Sequence, residues 1–489
     1  MEFQKIMPNF AKFFSIIIQN HSPMNLPKAF IDDLKPYLPV HEMDDFIHAL
    51  TETDQTICVR YNRAKYDGAT GHPIGWNAED GFYLDEKPNF TLDPLMHAGC
   101  YYVQEASSQF VTHVVRSVVS EPVIALDLCA SPGGKTTAML SVLPEGSQLV
   151  SNEIDRRRAR ILAENVTKWG LPNVSVTCNS PNDFRGLTQL FDLILTDVPC
   201  SGEGMFRKNE EAVSDWSPAK VTGCVALQRE ILETIWPTLK PGGILIYSTC
   251  TFNVHEDEEM LQYICDDLGA EAVGIPIDPS WNIHGPLVGN LPCYRFMPHY
   301  TRGEGLFMAV VRKTGGMNER KFNGPSRSKG KKGEHDKTST SKQKFNFDLK
   351  SQTSSLLSQL TCNASLELTA DGTIRAIPQG HQLLHDALVS QGLFLLQSGI
   401  DMGTVKGRDI IPSHALALST VRSADAFPTA EVDLATALDY LRHETIVLDD
   451  NAPKGHVIIT YRGHALGFVK NLGNRCNNLY PQEWRIRHL

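Results

Sequence analysis

Between Val123 and Lys313, short apolar runs alternate with stretches whose apolar residues recur at helical spacing. The runs are VIALDLCA, QLVSNEID, NVSVTC, FDLILTDV, GGILIYSTC and LFMAVVRK. FDLILTDV and GGILIYS are β-branched and bounded by Gly or Pro, the pattern of a parallel strand covered on both faces. The rhythm predicts an α/β fold: a doubly wound, Rossmann-like parallel sheet over residues 119–313. Upstream, 24–118 mixes helical patterns with a short strand, ICVRYNRAKY, and predicts an α+β region. Residues 314–344 are rich in Gly, Ser and Lys with almost no aliphatic side chains, the composition of a flexible linker. Beyond it, 345–425 holds a helix (LLHDALVSQ) and the segment GRDIIPSHALALS, and predicts a first C-terminal domain. Residues 426–489 carry short strands (ETIVL, HVIITY, LGFVK) joined by Gly-containing turns, and predict a small β-rich module. MNLPKAFIDDL reads as a natural domain start, leaving 1–23 as an extension or an amphipathic arm.

Composition narrows the classes. A chain of 489 residues exceeds one core and implies several domains. No apolar stretch approaches the roughly 18–20 residues that span a bilayer. FFSIII, Phe13 to Ile18, is shorter than a signal-peptide core of about 7–15 residues. Eleven cysteines without a C-x-x-C pair or regular spacing imply reduced thiols in a cytoplasm, with no disulfide framework and no metal site. The formal charge is −10, yet Arg312 to Lys350 holds twelve Lys and Arg against four Asp and Glu. A basic tether on an acidic body fits phosphate contact, or is simply a solvated linker.

LDLCASPGGKTTAML leaves a strand, turns through Ser131-Pro132-Gly133-Gly134 and continues as a helix. Its glycines admit a ligand close to the backbone, and the helix start offers free N–H groups. A P-loop would need Gly at position 129, where this chain has Cys129; G-x-G-x-x-G is absent too. Glu153, 26 residues after Asp127 at the end of the next strand run, is placed to accept hydrogen bonds from ribose hydroxyls. A nucleoside without a pyrophosphate fits, and S-adenosylmethionine is the common one.

Asp197-Val198-Pro199-Cys200 closes the fourth run and Ser248-Thr249-Cys250 the fifth. Ligands of an open α/β sheet bind beyond the strands' carboxyl ends, so both thiols belong to one crevice. A thiolate adding to carbon 6 of cytosine makes carbon 5 nucleophilic toward a methyl sulfonium. Asp197 is placed to stabilise the charge that develops near ring N3 and the exocyclic amine. Spacing alone does not say which thiol attacks.

DLCASPGGKT, DVPCSGEGMFRK and YSTCTFN resemble the three main motifs of the Nol/Nop/Sun family of RNA cytosine-5 methyltransferases. DPLMHAGCYYVQEASS and GWNAEDGFYL are similar to upstream parts of that family, and GHALGFVKNLGNRCNNLYPQEWRIR to the C-terminal module of a member acting on 16S rRNA. The resemblance covers nearly everything from about residue 24 to 489 except the linker. It implies a class I methyltransferase domain between an N-terminal RNA-binding region and a PUA-like RNA-binding domain at 426–489. It implies Cys250 as nucleophile, Cys200 in product release, Asp197 on the target base and Lys135 close to the chemistry. Cys129, Ala130, Ser131, Pro132, Gly133, Gly134, Lys135, Glu153 and Asp197 would hold S-adenosylmethionine. Many relatives place an Asp after the third strand to bind adenine; CNSPNDF instead offers Asn179 or Ser180, with Asp183 a few residues late. The DNA cytosine methyltransferases are the rival, since their nucleophile is the Pro-Cys thiol, here Cys200.

Arg207 and Lys208 are candidate phosphate contacts. In the C-terminal module Tyr461, Arg462, Lys470, Arg475 and Trp484 suit irregular RNA, although a packing role fits Trp484 better. The expected activity is that of an S-adenosylmethionine-dependent RNA cytosine-5 methyltransferase, acting as a monomer on 16S rRNA or the small ribosomal subunit. Its alternatives are the same chemistry on tRNA, and a non-catalytic RNA-binding assembly factor.

Overall fold

A computed structural model describes residues 25–315 and 347–487; the extension at 1–23 and nearly all of the 314–344 linker lie outside the described residues. Four N-terminal strands, β1 (Cys58–Tyr61), β2 (His72–Pro73), β3 (Gly81–Tyr83) and β4 (Tyr101–Val103), form an antiparallel sheet in the order β2-β3-β1-β4. The ICVRYNRAKY strand stops at Tyr61. Asn62 turns the chain there, its amide donating to the carbonyls of Gly99 and Trp169, both at 2.9 Å.

The central sheet contains β5 (Ile124–Asp127), β6 (Gln148–Asn152), β7 (Val174–Thr177), β8 (Phe191–Asp197), β9 (Leu239–Thr249), β10 (Ala270–Ala272), β11 (Tyr294–Phe296) and β12 (Leu306–Lys313). The strands β7-β6-β5-β8-β9 are parallel, and their apolar residues are buried against helices on both faces. LFMAVVRK departs from the parallel expectation. Helix Glu258–Asp266 delivers β10 in the same direction as β9 but one position away, and β12 fills that gap by running back between them.

Beyond the linker come β13 (Ala364–Leu368), β14 (Thr373–Pro378), β15 (Leu395–Ser398), β16 (Ile400–Lys406) and β17 (Asp409–Pro412). Four of these form a sheet, but β15 pairs antiparallel with β7 and becomes an edge of the central sheet. The last sheet is β18 (Thr429–Glu431), β19 (Gly455–Tyr461), β20 (His464–Asn471) and β21 (Cys476–Asn478). ETIVL is not one of its strands: Ile446 accepts a single backbone bond, from Cys476, and no ladder follows.

The chain ends share a core. Val59, Tyr61, Leu95 and Tyr101 from the N-terminal part pack with Tyr440, Val457, Leu466 and Tyr480 from the last module. The N-terminal helices instead pack Phe30 and Phe46 against Phe206, Trp216 and Phe252, in the turns that follow β8 and β9. The N-terminal helices therefore cover the turns at the carboxyl ends of β8 and β9.

Candidate active site

Residues at the carboxyl ends of β5, β6, β7, β8 and β9 line one cleft of about 460 Å³, a volume suited to a nucleoside-sized ligand. The loop after β5 is tied down at its start. Thr136 Oγ1 donates to Asp127 Oδ2 at 2.6 Å, pinning helix Gly134–Val142 to the strand. Asp127 is buried, and burial pushes its carboxyl up to about 7; its Oδ1 has no hydrogen-bond partner. Gly133 sits at φ 112°, a left-handed backbone that side chains rarely adopt, and an added Cβ would meet Leu162 at 3.2 Å. Cys129 and Ser131 line the cleft, while Ala130, Pro132, Gly133 and Gly134 build the turn that presents them. Behind the turn the buried Arg60 guanidinium donates to Gly134 O, Thr137 Oγ1 and Gln104 Oε1, bracing the helix from the N-terminal region.

Glu153, 3% exposed, lines the same cleft beyond β6. It accepts from the Asp155 N–H at 3.0 Å, and Arg158 lies 3.4 Å from its other oxygen. Past β7, Ser180 and Asn182 line the cleft but Asn179 does not. The Asn179 side chain is consumed by Phe394, accepting its N–H at 3.0 Å and donating to its carbonyl at 3.3 Å. Asp183 folds back to accept from Ser180 N–H and Oγ, so its carboxylate closes a local turn. Leu227 and Ile231 of helix Pro218–Ile235 supply an apolar wall.

The two candidate thiols meet. Cys200 Sγ lies 3.3 Å from Cys250 Sγ, and the Gly204 N–H holds the Cys250 carbonyl at 2.9 Å. Beside them Lys135 Nζ pairs with Asp197 Oδ2 at 2.8 Å, and Ser248 Oγ donates to Asp197 Oδ1 at 2.7 Å. Burial lowers the proton affinity of Lys135, but Asp197 and the Cys250 sulfur outweigh it and the net shift is upward. Cys200 is pushed well up by its hydrogen bond with Cys250, by burial and by the Glu256 carboxylate.

Ser248, Glu203, Asn253 and Glu256 carry this arrangement and are missing from the candidates that the motifs nominate. Their polar side chains are fully buried, Ser248 at the end of β9 and the other three in the turns after β8 and β9, where no periodicity marks them.

Arg207 does not face solvent as a phosphate contact would. Its side chain is 7% exposed, 3.5 Å from Glu304, with a bond to the Asp54 carbonyl. The loop after helix Val40–Thr51 reaches it through Asp54 and Gln55, which the motif could not show. Lys208 is exposed and borders a groove shared with Lys87 and Arg302, whose lining includes Gln104; Gln104 in turn lies against Gly134. In the last module Arg462, Lys470 and Arg475 are exposed and Tyr461 is buried. Trp484 packs on His414, with Lys168 over its ring at 5.6 Å.

Comparison with known proteins agrees along the chain. Residues 118–312 match the family model described as 16S rRNA methyltransferase RsmB/F. Residues 26–106 match the N-terminal domain of 16S rRNA methyltransferase RsmF, and 427–486 the methyltransferase RsmF PUA domain. A ribosomal RNA small subunit methyltransferase F of Vibrio vulnificus (strain YJ016) is 28% identical over 95% of this chain and 98% of its own length. One of Klebsiella pneumoniae (strain 342) is 27% identical, over 94% and 96%. Among solved structures, NSun6 from Pyrococcus horikoshii superimposes with a TM-score of 0.51 at 18% identity, covering 59% of this chain and 99% of that one.

Proposed function

Because the chain belongs to the 16S rRNA methyltransferase RsmB/F family, with N-terminal and PUA parts of the RsmF type, we propose that it methylates carbon 5 of a cytosine in 16S rRNA. S-adenosylmethionine, when bound, supplies an electrophilic methyl group. The residues fit that cofactor: Glu153 for ribose hydroxyls, Ser180 and Asn182 beside an apolar wall for adenine, and the Cys129–Gly134 turn for the amino-acid end. The unpartnered Asp127 Oδ1 leaves an acceptor beneath that turn.

The observation that carries the reading is the thiol pair 3.3 Å apart beside the Lys135–Asp197 pair, at the rim of a nucleoside-sized cleft. The Cys250 thiolate adds to carbon 6, and the ring's displaced electrons make carbon 5 nucleophilic. Carbon 5 takes the methyl group as its carbon–sulfur bond to the donor breaks. A base then removes the carbon 5 proton, the 5,6 double bond re-forms, and the electrons of the carbon 6–sulfur bond return to Cys250. The Cys200 thiol is within reach to donate a hydrogen bond to the departing sulfur. Asp197, fixed by Lys135 and Ser248, accepts from the exocyclic amine and sets the ring's position. The Lys135 ammonium acting on Cys250 supports Cys250 over Cys200 as nucleophile, a choice that spacing leaves open.

A stacked cytosine hides carbon 6, so the target must be flipped or unpaired. The groove bordered by Lys87, Lys208 and Arg302 supports RNA entry from the N-terminal side. We assign a cytoplasmic setting. We assign action as a monomer. In the presence of RNA and labelled donor, Cys250→Ala should give neither methyl transfer nor adduct, and Cys200→Ala should accumulate a stable protein–RNA adduct. The opposite pattern would reverse the two roles. Comparing assembled small subunits, free rRNA and tRNA as acceptors tests the substrate.

A further inference from the structure

The groove on the N-terminal side is larger than the cofactor cleft, about 750 against 460 Å³, so it has room for more than one nucleotide. Its walls adjoin the thiol-bearing turns. Lys208 closes the turns that run on from Cys200, its N–H donating to the Met205 carbonyl at 2.9 Å. Arg302 leads into Glu304, which pairs with Arg207 at 3.5 Å. The Cys250 and Glu304 carbonyls both crowd Gly204, where an added Cβ would meet them at 3.0 and 3.4 Å.

The lining combines cations with an aromatic face. Lys87, Lys208 and Arg302 are exposed, and none has an ion-pair partner among the described residues. The nearby acids are engaged elsewhere. Glu105 accepts from the N–H groups of Ser107, Ser108 and Glu304 at 2.9–3.0 Å, and Asp85 meets His72 at 3.1 Å. Asp54 is left as the one lining acid without such a partner among the described residues. The Arg302 guanidinium rests over the Tyr83 ring at 4.5 Å. Phe90 lines the same groove, half-buried, with the Tyr101 ring 6.2 Å away.

Cations alone would suit any phosphate backbone, a duplex included. An aromatic face among them suits a base, and a base offers its own face only where it is unpaired or unstacked. Flipping the target cytosine creates such a face, because its neighbour loses a stacking partner.

We infer that this groove binds the unpaired nucleotides adjoining the target cytosine, with Phe90 replacing the stack that the flipped base gives up and Lys87, Lys208 and Arg302 taking the phosphates. The protein thereby selects single-stranded or melted RNA over a continuous duplex. This deepens the 16S rRNA methylation reading and rests on it for the identity of the RNA.

Fluorescence anisotropy with two labelled probes tests it: a short single-stranded RNA with one central cytosine, and the same strand annealed to its complement. Phe90→Leu keeps apolar bulk beside Tyr101 but removes the flat ring. It should weaken single-strand binding about tenfold and change duplex binding less than about twofold, and Phe90→Trp should restore the difference. Replacing Lys87 and Lys208 together by Gln should lower the slope of log affinity against log salt for the single strand by about 1.4. A folded Phe90→Leu protein that binds the single strand like wild type, or that loses both probes equally, overturns the proposal. So does a wild type that prefers the duplex. Should Phe90→Leu fail to fold, an unchanged salt slope in the double lysine variant overturns it. Neither probe needs the methyl donor, so absent transfer to 16S rRNA would count against the proposed function and not against the groove's preference.

Discussion

Replacing Asn179 by aspartate sets the motif against the structure. The change would put an acid next to the position where many relatives bind adenine, so an adenine-reading role predicts equal or tighter cofactor affinity. The structure predicts the reverse. Asn179 is 8% exposed and bonded in both directions to the Phe394 backbone, clasping the segment that carries β15 onto the loop that lines the cofactor cleft. Aspartate keeps the bond from the Phe394 N–H, which becomes charge-assisted and gains about 1 kcal/mol. It loses the donor to the Phe394 carbonyl, about 1 kcal/mol, and brings two acceptors to 3.3 Å in a buried place, roughly 1–3 kcal/mol more. The net is about 2 kcal/mol. Taken wholly by the adjoining Ser180–Asn182 wall, it weakens S-adenosylmethionine up to about thirtyfold, with faster proteolysis near residues 391–398. Calorimetric titration of donor into wild type and variant decides. Unchanged or tighter binding, with the 391–398 segment as resistant as before, would refute the clasp.

Three further outcomes follow from the same geometry. Lys135→Met strips Asp197 of its 2.8 Å partner in a site about a third exposed on the Asp197 side; methyl transfer should fall roughly 30–100-fold, the buried-pair cost discounted for solvent. Lys135 is not in the cleft lining, so donor affinity should change less than threefold; a parallel loss of both would return it to the cofactor-holding residues that the motifs imply. Arg60→Lys cannot reproduce the fork reaching Gly134, Thr137 and Gln104, and should weaken donor binding about tenfold or more by titration while the two thiols retain their reactivity. The joint between chain ends buries His97 and His414, and burial lowers them to about 4 and about 3. Neutral histidine is the folded form, so stability is complete above about pH 6.5 and declines as pH falls toward 4, where the unfolded chain binds more protons. His414→Phe, replacing a ring whose nitrogens have no partners, should flatten part of that slope in thermal melts between pH 7 and 4.

The strand ends were legible because parallel strands write themselves as short β-branched runs, and their ligands must lie past the carboxyl ends. That is why Glu153, Asp197, Cys200 and Cys250 could be nominated from their places at strand ends. Contacts made by segments distant in sequence were not legible. Arg207 reads as a surface cation until Asp54 and Glu304 approach from distant segments, and Asn179 reads as a cofactor ligand until β15 arrives from beyond the linker. LFMAVVRK has the composition of any central strand; only the gap left between β9 and β10 makes it run backward.

The same limit applies to the thiols. Their proximity follows from two strand ends, but their inequality follows from what lies beneath and beside them. Lys135 comes from the loop after β5, Glu256 from the turn after β9, and neither is near Cys200 in sequence. Cys200 and Cys250 are chemically identical side chains on similar turns, so a division of labour has to come from the field around them. In the proposed division of labour Lys135 lies toward Cys250 and Glu256 toward Cys200. Exchanging the nucleophile between the Pro-Cys and Thr-Cys positions would therefore take more than moving a cysteine. It would require moving the groups that surround each sulfur with it.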